Sequence, residues 1–98
     1  MSKTKTTPAD FVEYVDGGSA AVITLAAGLV LNGAKVMTVR MREPELRDEL
    51  ASDAMGGSAA VKEVALFANL CELAPADLHG MKSRDYRRLV AAFTGFAD

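Results

Sequence analysis

The side chains best suited to acid–base, nucleophilic or metal chemistry near neutral pH are one histidine, His79, and one cysteine, Cys71. His79 stands in a Leu-His-Gly connection with no cysteine or second histidine at ligand spacing, so a surface or capping role is the commoner one. Cys71 falls on an apolar stripe with no evident cation to lower its pKa, where a thiol behaves as a small hydrophobe. Gly17-Gly18 and Gly56-Gly57 lack both the glycine spacing and the following Lys-Ser/Thr of a phosphate-binding loop, and act as breakers. Lys82, Arg84, Arg87 and Arg88 form one basic cluster, interrupted by Asp85, which reads more simply as a solvated helix face than as a nucleic-acid contact. Met37, Met41, Met55 and Met81 suit either a core or a pliable contact surface. No catalytic, cofactor-binding or metal site is expected, and the chain does not read as an enzyme.

With that chemistry set aside, the 98 residues must work through their surface. A chain of this length supports one compact core, and its composition, half apolar and a quarter charged, is that of a globular protein. Eleven basic and thirteen acidic residues leave a net charge of −2, which supplies no field toward DNA or an anionic membrane. A lone cysteine builds no disulfide framework, and a reducing cytosol is expected. The basic start lacks the apolar core of a secretory signal, and the run from Ala20 to Leu31, broken by Thr24 and Gly28, is shorter than the roughly 20 residues of a spanning helix. Neither export nor a membrane is expected.

The elements follow from punctuation and period. Met1 to Thr7 lacks periodicity and is expected to be mobile. Thr7-Pro8 with Asp10 predicts a short helix over Pro8 to Val15, ended by Asp16-Gly17-Gly18-Ser19. Residues 1–20 are thus expected to form a flexible tail and residues 21–98 a single α+β domain. Asn32-Gly33 between two aliphatic runs predicts a hairpin over Val22 to Met41 with a type I′ turn. That register sets Leu29, Leu31, Ala34 and Val36 on one surface and Ala26, Val30, Lys35, Met37, Val39 and Met41 on the other, so both faces are partly apolar. Glu43-Pro44-Glu45 opens a helix carrying Leu46 and Leu50, which Gly56-Gly57 stops. Ser58 caps an almost wholly apolar helix with two stripes: Val61, Val64, Phe67, Ala68 and Cys71, and, across from them, Leu66, Leu70 and Leu73. A turn of helix begins at Pro75, and a last amphipathic helix, capped by Ser83, carries Tyr86, Leu89, Val90, Phe93 and Phe96 on one face. The fold class is α+β: an antiparallel hairpin followed by three to four helices packed on it.

The order of these segments resembles the phage tail assembly chaperones of Mu-like and related tailed phages, of the tail protein E type. The residues that carry the resemblance are Ile23-Thr24-Leu25 in the first strand and Val39-Arg40-Met41-Arg42-Glu43-Pro44 after the second. They continue through the apolar helix, the Leu73-Ala74-Pro75-Ala76-Asp77-Leu78 connection, and Asp85, Leu89 and Phe93 in the closing helix. The likeness runs from about Ala21 to Phe96, and departs from the family's pattern at Ala26-Ala27-Gly28, where a proline is common. It implies a protein of the bacterial host cytoplasm that binds and solubilises the tape-measure protein during tail morphogenesis, with the tail-tube protein as a second candidate partner. It further implies absence from the mature virion.

A holdase needs apolar surface beyond what one core covers. The candidate protein-binding residues are Leu29, Leu31 and Val36 on the hairpin and Leu66, Leu70 and Leu73 on the central helix, and the two-faced pattern also predicts a homo-oligomer. Two alternatives stay open: a small DNA-binding regulator using Arg84, Arg87 and Arg88, and a structural tail component.

Overall fold

Asn32 and Gly33 hold φ of 52° and 81°, the pair that a type I′ turn demands. In the computed structural model, which describes residues 9–97, they join strands β2 (Ala20–Leu31) and β3 (Ala34–Arg42). Leu31 lies opposite Ala34, Val30 opposite Lys35 and Leu29 opposite Val36, the register expected of a two-residue turn. Farther out the register breaks. Leu29 pairs with Val36, but Thr24 pairs with Thr38, so Leu25 to Gly28 bulge out of β2 against Met37 alone.

This bulge overturns one expectation. Val39 and Met41 do not lie on the face opposite Leu29 and Leu31; they are buried in one cluster with Leu29, Ala21, Ile23 and Leu25, against which Leu31 and Val36 also pack. Strict alternation holds only while the register does, and extra residues in one strand re-aim the side chains beyond them. Of the second face expected from the sequence, Val39 and Met41 thus join the core, while Ala26, Val30 and Met37 stay exposed.

The expected helix over Pro8 to Val15 is also corrected. Ala9–Phe11 is a single 3-10 turn, and Val12–Val15 is strand β1, paired antiparallel with Ala20 to Ile23. An isolated short helix is marginal, whereas Val12, Tyr14 and Val15 are strand-forming types beside an open edge of β2. Tyr14 then reaches the last helix, donating its hydroxyl to the Ala92 carbonyl at 2.8 Å with its ring edge-on to Phe96. Of the expected tail over residues 1–20, residues 1–8 lie outside the described residues.

The sheet, in the order β1-β2-β3, is followed by four helices: α1 (Leu46–Asp53), α2 (Ala59–Leu70), α3 (Pro75–Leu78) and α4 (Ser83–Gly95). The fold is α+β. Ser58 caps α2 as expected, its Oγ accepting the Val61 N–H at 3.2 Å. Ser83 is the first residue of α4 and Lys82 its cap, one position from the expected boundary. Helix α4 packs on β2 and α2 on β3, while α1 rests on α2. Both stripes of α2 are engaged: Phe67, Ala68 and Cys71 with Leu66 and Leu70 belong to the core, joined by Leu78, Leu89 and Ala92.

Candidate protein-binding surface

The six residues expected to contact a partner divide by burial. Leu29, Leu66 and Leu70 are core residues. Leu31, Val36 and Leu73 are half-buried and pack against that core from its rim. Three of the set converge: Leu31, Leu70 and Leu73 line an open cavity of about 230 Å³ between the sheet and the end of α2. Its other walls are Thr38, Val39, Arg40, Arg42, Cys71 and Glu72. The hairpin and the central helix therefore share one hollow, its wall part apolar and part charged.

Most of the exposed apolar surface lies elsewhere. Leu46 and Leu50 are 71% and 60% exposed, and Met55 and Val61, on the way into α2, are 44% and 53% exposed. The one buried side chain of α1 is a carboxylate, Asp48. Arg42 grips it with two hydrogen bonds of 2.8 and 2.7 Å, the Glu45 N–H donates at 2.9 Å and the Asn69 amide at 3.2 Å. These bonds account for the orientation: a buried carboxylate must be fully partnered, and three of the four come from β3 and α2. At roughly 100° per residue, an inward Asp48 forces Leu46 and Leu50 outward. The Arg42 guanidinium, followed by the Glu45 N–H, holds the Asp48 carboxyl well below the usual carboxylate range.

The bulge in β2 has its own anchor. Asp85, fully buried in the first turn of α4, accepts the backbone N–H groups of Ala26 at 2.6 Å, Ala27 at 2.9 Å and Gly28 at 3.2 Å. Burial alone would raise its pKa, but these three bonds and the nearby Arg88 charge outweigh it and hold the carboxyl below its ordinary value. Arg88 donates to the Thr24 carbonyl at 2.8 Å and lies over the Phe11 ring. Since β1 pairs only with Ala20 to Ile23, α4 side chains satisfy the Thr24 carbonyl and the Ala26 to Gly28 N–H groups on the next stretch of β2. This removes a template for unwanted strand pairing. Of the basic face, Lys82, Arg84 and Arg87 are exposed, while Arg88 is committed to the sheet.

A family model described as phage tail assembly chaperone proteins, E, or 41 or 14, matches residues 22–98 of the chain. The chain belongs to this phage tail assembly chaperone family. No curated protein and no solved structure matches it. The matched segment begins inside β2 and takes in the bulge, the hairpin and all four helices, leaving β1 outside.

In this tail assembly chaperone Cys71 and Tyr86 are tied into the structure. Burial pushes the Cys71 thiol up to about 12, far from a reactive thiolate. His79 is exposed at the end of α3. Burial, and then the Glu63 carboxylate that accepts its hydroxyl at 2.8 Å, raise the Tyr86 phenol. Among the described residues no three His, Cys, Asp or Glu side chains gather as a metal site, and no helix is long and apolar enough to cross a membrane. The outward leucines of α1 and the roles of Asp48 and Asp85 were missed from the sequence. The only hint was the weak strand-former run Ala26-Ala27-Gly28 paired, far along the chain, with an acid in the first turn of an apolar-faced helix.

Proposed function

We propose that this chaperone binds the tape-measure protein of its own phage in the cytoplasm of the bacterial host, keeps it soluble until the tail tube encloses it, and is absent from the finished virion. It carries out no catalysis, and the tail-tube protein is a second candidate partner. Family membership supports this together with one observation: half-buried Leu31 and Leu73 line an open hollow, and Leu46 and Leu50 of α1 stand open to solvent. In this reading Leu31, Val36 and Leu73 contact the partner, with Leu29, Leu66 and Leu70 as the floor that shapes them. Exposed apolar helix favours aggregation by roughly 25 cal/mol per Å² that can be buried, and a holdase must offer comparable area in its place. Co-expression tests the proposal. The tape-measure protein should gain soluble yield and co-purify with the chaperone; a tape-measure protein that stays insoluble and unbound in its presence overturns it.

A further inference from the structure

Helix α1 is turned inside out relative to an ordinary surface helix: its carboxylate points into the protein and its leucines point into water. The bonds of Asp48 to Arg42, the Glu45 backbone and Asn69 fix that orientation, so the leucine stripe is held open rather than left loose. Met55 and Val61, between the end of α1 and the first turn of α2, are exposed as well. Glu49 and Asp53 border one edge of the stripe and Glu43 precedes it, all three exposed. The one base on α1, Arg47, is neutralised by Glu45 at 2.7 Å. The patch is therefore apolar along its centre and acidic along one edge, in a chain whose total charge is only −2.

We infer that the Leu46–Leu50 face of α1 docks an amphipathic helix of the partner protein whose apolar stripe is bordered by lysine or arginine. This deepens the proposed function and rests on it for the partner's identity, though not for its chemistry. An apolar helix face accepts a second helix through residues at i, i+3, i+4 and i+7, and the acidic margin selects a basic border and repels an acidic one. A second copy of this chain would set the same acids against each other and is disfavoured.

The test uses the full chain and two synthetic helix-forming peptides of about 20 residues with the same leucine stripe, one bordered by lysines and one by glutamates. Fluorescence anisotropy should show the lysine peptide binding at least about tenfold tighter at low salt, with the difference shrinking as salt rises. Leu46→Ser with Leu50→Ser should weaken that binding at least about tenfold, and Glu49→Lys with Asp53→Lys should reverse the preference. These positions are exposed, and an unchanged melting temperature checks that the variants fold. Equal binding of both peptides, no binding of either, or binding indifferent to the leucine substitutions overturns the inference. So does a wild-type dimer that those substitutions disperse. Co-purification separates the two claims: a tape-measure protein retained by the Leu46→Ser, Leu50→Ser variant overturns this face alone, whereas one not retained by the wild type overturns the proposed function and leaves the peptide result to judge the face.

Discussion

Asp85 Oδ1 accepts the backbone N–H of Ala26 at 2.6 Å across 59 residues of sequence. With the bonds to Ala27 and Gly28 it ties the first turn of α4 to the bulge of β2. Asp85→Asn should therefore destabilise the fold by about 1–3 kcal/mol, because the amide sets a donor against backbone donors where the carboxylate accepted. At about 4–8 °C per kcal/mol for a domain of this size, a thermal melt followed by circular dichroism resolves it. An unchanged melting temperature would mean that the bulge holds itself.

The two glycines of the hairpin should differ in tolerance. Gly33 and Gly28 both hold positive φ, 81° and 90°, but only at Gly28 would an added Cβ meet neighbours, the Met37 Sδ at 2.7 Å, the Lys35 side chain at 2.8 Å and the Val36 carbonyl at 3.1 Å. Gly33→Ala should cost about 1 kcal/mol, the ordinary left-handed penalty, whereas Gly28→Ala adds a clash with backbone and should cost more. Urea midpoints of the two variants rank them, and a Gly33 variant that is the weaker of the pair contradicts the geometry of the bulge.

That contrast also shows what was legible in advance. The Asn32-Gly33 turn is a local matter of two residues, and its type and register were readable. The bulge was not, because the carboxylate that binds it lies far along the chain, and with it went the assignment of Val39 and Met41 to a face. Strand β1 was hidden for a similar reason: the Pro8 and Asp10 cap signals are local, and the edge of β2 that competes for Val12 to Val15 is not. Leucines at 46 and 50 announced a stripe, but its direction depends on which side of α1 finds partners, and Asp48 found Arg42 and Asn69.

Acid should unfold this protein through the same two aspartates. Both carboxyls titrate below the ordinary range in the folded state, so the folded chain binds fewer protons than the unfolded one. Their contribution is fully present above an unfolded pKa of about 3.9 and is lost as the pH falls from there through the folded values. Urea midpoints between about pH 7 and pH 3 should drop steeply below about pH 4 in the wild type. Asp48→Asn and Asp85→Asn should each start lower and fall less steeply, and a variant with the wild-type slope would place the acid sensitivity in other groups.

Burial predicts which of the six candidate contact leucines and valine can be altered without losing the fold. Leu29 is 2% and Leu66 8% exposed, so an aspartate at either would be an unpaired buried charge and should unfold the chain. Leu31 and Leu73 stand half-buried on the walls of the hollow, where serine removes apolar area without stranding a charge. Leu31→Ser with Leu73→Ser should retain the helical circular dichroism of the wild type and lower the co-purified yield of tape-measure protein, by the loss of up to about 1.5–3 kcal/mol for each leucine that the partner would cover. If that variant is folded and holds its partner as well as the wild type while Leu46→Ser with Leu50→Ser does not, binding belongs to α1 and the hollow is only the unfilled end of the core. If both pairs weaken it, the partner spans from the sheet to α1, and combining all four substitutions should lower binding below either pair alone.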